Sequence, residues 1–403
     1  MRIAIVTTTG VSRQFRQWPE AILGRALVAR GHRVRAFTVH EKGSELTGAG
    51  RDEVDGISVM RLPVSKAWTA PFLIPALAAF RPQVIHMFHL RNALNWQAAA
   101  WAKLLRVPIV FTVVGPFHDP YLVDDRERPY LGNMYPGRLI YTPRRLIKEL
   151  TRARLRKPLS IWQNFCMHYP LRAADRLIAL SKHEVGLLRR MGMQREKIRQ
   201  IPLWIDVPYI EAVPFEESIA SQYPSPHVLF LGQLKERKGY DILARAMPLV
   251  LEKCPGASFL FAGQNPARAE HLTTICAANG SLEHLVLLGK VREEDKVRLM
   301  RSADCLVYPT RYESFGLPPL EAMAAGCPVV ATNLPVVNEM IQDSENGVLV
   351  RPEDPHSLAE GIIRVLTDQR LRSTLVAGGR RTLSRYSEAA IIQQITSLYE
   401  ELL

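Results

Sequence analysis

Short apolar runs alternate with amphipathic segments along most of the chain. In the first half, an apolar run of strand length leads to a segment with helical periodicity, Trp18–Arg30, and then through a Gly31-His32 turn into the next apolar run. This order of strand, helix, glycine-containing turn and strand predicts a parallel, doubly wound α/β sheet. The strands predicted for this half cover residues 2–8, 33–39, 82–90, 108–115 and 173–181.

The same pattern starts again after a proline-rich, acidic stretch, Pro208–Pro226, whose composition is typical of an interdomain linker. A chain of 403 residues is too long for one ordinary core and fits two domains of about 200 residues each. We therefore predict an amino-terminal domain over residues 1–205 and a carboxy-terminal domain over residues 206–386. The strands predicted for the second domain cover residues 227–231, 257–263, 284–291, 304–309 and 328–331.

Composition narrows the class of protein. Apolar residues make up 47% of the chain and charged residues 23%, as in soluble globular proteins, and no run reaches the roughly 18 to 20 apolar residues that cross a bilayer. The chain begins directly with a strand and lacks the pattern of a secretion signal. Its five cysteines are scattered and never spaced C-x2-C, which favours reduced core cysteines over a disulfide framework or a zinc site. We therefore expect a cytoplasmic protein without a metal site.

Charge is distributed unevenly between the two halves. Residues 1–205 hold 33 Lys and Arg against 14 Asp and Glu, whereas residues 206–403 hold 19 against 25. The basic excess is greatest in residues 126–157, where basic and apolar residues are interspersed. A basic amphipathic segment favours an anionic membrane surface, so we expect a peripheral location at the inner face of the membrane. The alternative is a solvated face on an ordinary helix. Nucleic acid is disfavoured because no recognition motif accompanies the charge.

The stretch Thr310–Pro335 carries the candidate chemistry. Its paired prolines at 318–319 suit the first turn of a helix, Gly326 suits the end of that helix, and an apolar run typical of a buried strand follows. Backbone N–H groups at the start of such a helix form a natural site for an anion such as phosphate. The residues expected to supply these N–H groups are Phe315, Gly316 and Leu317.

Two carboxylates flank this expected anion site. Glu313 precedes the helix and Glu321 lies on it, so hydrogen-bond acceptors stand on both sides of the anion. Acceptors at both ends of an anion pocket suit the hydroxyl groups of a nucleotide sugar. The alternative is a surface loop capped by a solvated helix.

The Glu-x7-Glu spacing with Phe-Gly after the first glutamate resembles the retaining GT-B-fold glycosyltransferases, the glycosyl transferases of group 1. The resemblance implies two doubly wound Rossmann-like domains with a cleft between them, the first binding the acceptor and the second the donor. It also implies that the last helix, about 387–403, packs back on the first domain. A UDP- or GDP-sugar would be a substrate, so no cofactor is expected, and the anomeric configuration of the sugar would be retained.

The resemblance assigns roles in the second domain. Glu313 would hold a sugar hydroxyl, Glu321 would hold the ribose, and Lys238 would stabilise the leaving diphosphate as part of the motif Gly-Arg-Leu, three residues, Lys-Gly. Gln233 occupies the arginine position of that motif, and the nearby Arg237 could compensate for the lost charge. The loop that ends at Val291 corresponds to the backbone groups that cradle the nucleobase.

The first domain departs further from the family. The loop at Gly10 approaches the donor phosphates in relatives, but here it has Gly-Val where they carry Gly-Gly, and it lacks the three glycines of a dinucleotide fingerprint. Val114 occupies the place of a histidine that faces the donor sugar, and His118 could reach the same place. For His86 and His89 an ordinary structural role is favoured, because no third ligand of suitable spacing accompanies them.

These observations together predict a metal-independent retaining glycosyltransferase that moves a sugar from a nucleotide-sugar donor to a lipid-linked or glycan acceptor. Val114 and Gln233 leave open a catalytically weak, sugar-nucleotide-binding scaffold at a membrane. A sugar-nucleotide epimerase of the same fold is the other alternative, and it would consume donor without an acceptor.

Overall fold

A computed structural model describes residues 1–8, 10–12, 18–40, 50–114, 142–152, 158–214 and 219–403. Contacts within this part divide the chain into two compact units. The first comprises Met1–Leu203 together with Glu388–Leu403, and the second comprises Trp204–Ser387. The sequence predicts this boundary two residues later, between residues 205 and 206.

The first unit is built on a sheet that is parallel except at one edge. Its strands are β1 (Arg2–Val6), β2 (Arg33–His40), β3 (Gly50–Val54), β4 (Ile57–Pro63), β5 (Val84–Phe88), β6 (Ile109–Thr112), β7 (Arg176–Ala179) and β8 (Ile198–Gln200). Its helices are α1 (Pro19–Ala29), α2 (Leu73–Phe80), α3 (Asn95–Leu105), α4 (Pro143–Arg152), α5 (Pro158–Ala173) and α6 (Lys182–Arg190).

The strand order in this sheet, over the described residues, is β3-β4-β2-β1-β5-β6-β7-β8. Among the strand pairs that the structure describes, only β3–β4 is antiparallel, and it is joined through an Asp55-Gly56 turn in which both residues have positive φ. The chain thus winds outward from β1 in one direction and then from β5 in the other. The topological switch point, where ligands bind in open α/β sheets, therefore lies between β1 and β5.

The second unit contains a six-stranded sheet that is parallel throughout its described strands. Its strands are β9 (His227–Leu231), β10 (Ser258–Ala262), β11 (Leu285–Gly289), β12 (Cys305–Tyr308), β13 (Val329–Thr332) and β14 (Val348–Val350). Its helices are α7 (Val207–Ala212), α8 (Tyr240–Leu251), α9 (Pro266–Ala278), α10 (Glu293–Ser302), α11 (Leu317–Ala325), α12 (Pro355–Thr367) and α13 (Gln369–Leu383). The order β11-β10-β9-β12-β13-β14 is that of a Rossmann sheet, with its switch point between β9 and β12.

The last helix, α14 (Glu388–Glu400), belongs to the first unit. Its Tyr399 is buried, and the Tyr399 hydroxyl lies 2.5 Å from Nδ1 of His86 on β5. The other ring nitrogen, Nε2, lies 2.6 Å from the hydroxyl of Thr112 on β6. Burial lowers the pKa of His86 to about 3, so this histidine is neutral and ties the chain terminus to two central strands.

Apolar strands buried on both faces form the core of each unit, as expected for parallel sheets. The first core includes Phe37, Ile85 and Phe111, and the second includes Phe230, Phe259 and Val307. Each such side chain contributes about 1.5–3 kcal/mol through burial. Of the helices the structure describes, none is both long enough and apolar enough to cross a membrane.

Candidate functional site

Helix α11 begins where the sequence predicted. Gly316 is its N-cap with φ of 99°, a left-handed value that favours glycine, and a Cβ there would lie only 3.0 Å from the hydroxyl of Tyr308. Gly326 ends the helix with φ of 78°. Among the described residues, no acceptor pairs with the backbone N–H groups of residues 315–317. These donors are therefore available to an anion at the start of the helix.

The turn that carries Lys238 packs against the exit of β12. Gly239, with φ of 72°, follows the short 3-10 turn Glu236–Lys238, and a Cβ at this glycine would lie 1.8 Å from the carbonyl oxygen of Pro309. Only glycine permits this approach. The Arg311 guanidinium holds the two segments together through both oxygens of Asp241, at 2.7 and 2.9 Å.

This close packing brings Lys238 and Glu313 into an ion pair. The ammonium group of Lys238 donates to Oε1 of Glu313, and Arg237 donates to the same oxygen at 3.2 Å. Burial raises the pKa of Glu313, but the adjacent Lys238 and Arg237 more than offset it, so the pKa is lowered and the carboxylate is ionised. Lys238 follows β9 and Glu313 follows β12, so the pair lies at the switch point of the second sheet.

Glu321 is paired with Lys296, which is not among the site residues predicted from the sequence. Lys296 of α10 lies 2.9 Å from Oε1 of Glu321 and 2.7 Å from Glu293. Burial alone would lower the pKa of Lys296, but the two carboxylates raise it, and the ammonium group is therefore charged. A sequence signal existed, because Lys296 shares a helical stripe with the buried Leu299 and Met300.

The remaining predicted site residues differ in their burial and surroundings. Gln233 is exposed beyond β9, and Val291 is half-buried, two residues after Gly289, which has a φ of 64°. Gly10 is buried, and a Cβ there would lie 1.8 Å from a carboxylate oxygen of Glu20, so packing alone requires glycine at this position. His118 lies outside the described residues.

His86, on β5, and His89, just after it, have different surroundings. His86 lies in the core, as described above, whereas His89 lies 2.8 Å from the buried carboxylate of Glu20. No group of three His, Cys, Asp or Glu within the described ranges could hold a metal ion. The five cysteines are buried and form no disulfide.

Comparison with solved structures identifies the class of fold. The HepE protein of Anabaena, solved with UDP and glucose, matches with a TM-score of 0.71 at 18% identity, over 100% of both chains. The predicted fold class, two Rossmann-like α/β domains of GT-B type, is confirmed.

Two family models match the chain in succession. The glycosyl transferase 4-like domain matches residues 21–204, and glycosyl transferases group 1 matches residues 225–368. The match to the group 1 family includes the Glu-x7-Glu stretch, as the resemblance of that stretch to the family had suggested.

Curated relatives match over part of their length. An uncharacterized glycosyltransferase of Methanocaldococcus jannaschii is 36% identical over 197 residues, which cover 49% of this chain and 50% of that protein. The phosphatidyl-myo-inositol mannosyltransferase of Mycobacterium leprae is 38% identical over 175 residues, covering 43% of this chain and 46% of that protein. The chain thus spans about half the length of the curated relatives it matches.

Proposed function

We propose that this protein is a glycosyltransferase that moves a sugar from a nucleotide-sugar donor, UDP- or GDP-linked, to a hydroxyl of a lipid-linked or glycan acceptor. The observation that carries the proposal is the Lys238–Glu313 pair at the switch point of the second sheet, next to the unpaired N–H groups that begin α11. A cation, helix N–H donors and an ionised carboxylate together suit a diphosphate joined to a polyhydroxyl sugar.

Each group has a proposed part in the reaction. The bond between the sugar C1 and the diphosphate oxygen breaks, and negative charge grows on the diphosphate. Lys238 and the N–H groups of Phe315, Gly316 and Leu317 stabilise that charge, because they are fixed before the reaction starts. Glu313 accepts a hydrogen bond from a sugar hydroxyl, and Glu321 accepts one from the ribose.

The acceptor oxygen forms the new bond to C1, and its proton passes to the departing phosphate, so the products are the glycoside and the protonated nucleoside diphosphate. We propose that C1 keeps its configuration and that no metal ion takes part. The other predicted site residues have supporting roles in this scheme. Gln233 and Gly10 would lie near the phosphates, Val291 would lie beside the base, and His118 would face the sugar.

The relatives support the choice of substrates. The HepE structure contains UDP and glucose, which suits a uridine-linked donor, and the mycobacterial relative is named for mannosylation of a phosphatidylinositol, which suits a lipid acceptor. The basic segment 126–157 would hold the protein at an anionic membrane surface. Its described part, residues 142–152, contains α4, whose Arg144, Ile147 and Lys148 are exposed.

Two measurements test the proposal. Calorimetry with UDP and with GDP identifies the nucleotide of the donor. Release of the nucleoside diphosphate from UDP-glucose or GDP-mannose is then measured. Each reaction is run without an acceptor and with phosphatidylinositol vesicles or octyl β-glucoside as the acceptor. We expect acceptor-dependent turnover that Lys238→Ala and Glu321→Ala abolish, while thermal unfolding shows that both variants remain folded. Lys253→Ala, at an exposed lysine of the second unit, is the matched control.

The competing functions give different results in the same assay. A scaffold protein would bind a nucleotide without turnover on either acceptor. An epimerase would convert the donor with no acceptor present. Full turnover by Lys238→Ala would overturn the proposed chemistry of the site.

A further inference from the structure

A second polar centre lies in the first unit. The side chain of Glu20, on α1, is fully buried, and its Oε1 accepts a hydrogen bond of 2.6 Å from the hydroxyl of Thr7. The same oxygen lies 2.8 Å from Nε2 of His89, which follows β5. Gly10 leaves the space that this carboxylate occupies.

His89 is held in a fixed orientation. Its φ of 61° is a left-handed value, uncommon for a residue other than glycine, and such backbone strain is concentrated at functional sites. Asn95 donates to the His89 carbonyl oxygen at 2.9 Å, and the ring of Trp18 lies 6.1 Å from the imidazole. The backbone, the carbonyl and the ring of this histidine are thus all constrained.

Core packing does not account for the pair. Burial raises the pKa of Glu20, but His89 and Thr7 more than offset it, so the carboxylate is ionised although it is fully buried. Its second oxygen, Oε2, has no hydrogen-bond partner within the part of the chain that the structure describes. Burying a charge in this way costs free energy, and sites with such a cost are commonly functional.

The pair occupies the equivalent of the donor site in the other sheet. Thr7 follows β1 and His89 follows β5, the two strands that flank the switch point, just as Lys238 and Glu313 follow the flanking strands of the second sheet. Thr8 and Arg91 line a cavity of about 480 Å³. Thr8 directly follows Thr7 in the sequence, and Arg91 is two residues after His89. Lys66, Trp68 and Gln163 also line the cavity.

We propose that His89 binds a hydroxyl group of the acceptor through Nδ1, and that Glu20 is a positioning residue that fixes the imidazole for this contact. The inference rests on the proposed function. An ionised carboxylate only accepts hydrogen bonds, so Nε2 donates to Glu20 and Nδ1 is the ring nitrogen that is left for a ligand. For Nδ1, the described residues supply no partner, and the side chain of His89 is 16% exposed, so a ligand hydroxyl can form a hydrogen bond with it.

The two amide substitutions of His89 separate this role from a structural one. Asparagine places its amide near the position of Nδ1, whereas glutamine places its amide near that of Nε2 and can keep the bond to Glu20. If His89 binds the acceptor, His89→Gln raises the acceptor KM at least about tenfold, as expected for one lost hydrogen bond, and His89→Asn retains more activity. A purely structural histidine gives the reverse order, which would overturn the proposal.

The assay uses the full-length protein with octyl β-glucoside and with phosphatidylinositol vesicles. Calorimetric affinity for UDP and GDP is expected to be unchanged in both variants, and thermal unfolding identifies any variant that is misfolded. Glu20→Gln is expected to raise the acceptor KM less than His89→Gln does. If the wild-type chain transfers sugar to neither acceptor, the proposed function fails; if it is active and His89→Gln matches it, only the role of His89 fails.

Discussion

The ammonium group of Lys296 lies 2.9 Å from Oε1 of Glu321, so the carboxylate proposed to hold the ribose is part of an ion pair within the protein. Both side chains are largely buried, with 17% and 7% of their surface exposed. Glu293 completes a three-residue network on the other side of the lysine. Lys296 thus fixes one oxygen of Glu321 and leaves the other for a ligand.

We predict that Lys296→Met weakens donor binding and lowers stability. Removing one partner of a buried pair leaves an uncompensated charge, which costs about 3 kcal/mol, and Glu321 would lose the contact that orients it. The KM for the donor should rise by about tenfold or more, whereas the acceptor KM should stay the same. Steady-state kinetics and urea unfolding measure the two effects. Lys253→Met is the exposed control, and an unchanged donor KM in Lys296→Met would contradict the role.

The pair of Lys238 and Glu313 should show strong coupling in a double-mutant cycle for stability. Glu313→Gln is expected to cost more than Lys238→Met, because it leaves two buried cations, Lys238 and Arg237, without their common carboxylate. The double variant should be less destabilised than the sum of the single variants, by about 1–3 kcal/mol. The more exposed pair Arg268 and Glu236, in the same unit, provides the control cycle, where little coupling is expected. Additive effects at Lys238 and Glu313 would show that the pair is not linked in solution.

Restoring the arginine of the family motif should improve donor binding. Gln233 is exposed directly after β9, in the same turn-and-loop segment as Lys238, and it carries no charge. Gln233→Arg adds a cation that can bind a diphosphate bidentately, so we expect the Kd for the nucleoside diphosphate to fall by about threefold to tenfold. Calorimetry measures the change, and Gln342→Arg, at an exposed position of the same unit, controls for net charge. An equal gain in both variants would mean that non-specific attraction explains the effect.

Local sequence signals accounted for the bounds of α11, because Gly316, the two prolines and Gly326 determine a helix start and end by backbone geometry alone. The Lys296–Glu321 pair was missed because it joins residues of two helices, and the helical periodicity that turns Lys296 inward does not identify its partner. The Glu20–His89 pair was missed for the same reason, as 69 positions separate its members. The β3–β4 hairpin was missed although Asp55-Gly56 is a strong turn signal, since β3 is polar along most of its length.

The buried His86 should make the first unit sensitive to mild acid. Its pKa in the folded protein, about 3, is below the roughly 6.5 of an unfolded histidine, so the unfolded state binds the proton first. The stability is therefore complete above about pH 6.5 and is lost progressively as the pH falls towards 3. Between pH 6 and pH 4, the free energy of unfolding of the wild type should fall by about 1 kcal/mol per pH unit more than that of His86→Gln.

Tryptophan fluorescence suits the measurement of this acid sensitivity, because five of the six tryptophans lie in residues 1–203. Urea unfolding at several pH values then reports mainly on the unit that contains His86. Equal slopes for the wild type and His86→Gln would contradict a neutral, buried His86.

The exposed face of α4 should determine binding to anionic membranes. Leu146 and Leu150 turn towards α5, where they pack with Phe165, which leaves Arg144, Ile147 and Lys148 on the outer side. Each basic residue near an anionic bilayer contributes about 1 kcal/mol, so reversing the two charges in Arg144→Glu/Lys148→Glu should weaken binding to phosphatidylserine vesicles by about 30-fold or more. The measurement is vesicle co-sedimentation, repeated at higher salt, where the wild-type affinity should also fall.

A matched charge reversal shows whether location or net charge matters. Arg189 and Arg190 are exposed at the end of α6 in the same unit, so Arg189→Glu/Arg190→Glu changes the net charge by the same amount without altering α4. If α4 forms the contact, this variant should bind vesicles nearly as the wild type does, and Ile147→Asn should weaken binding at all salt concentrations because an apolar contribution is not screened. Equal losses from both charge reversals would indicate diffuse attraction of a basic protein to an anionic surface, and α4 would then have no special part in it.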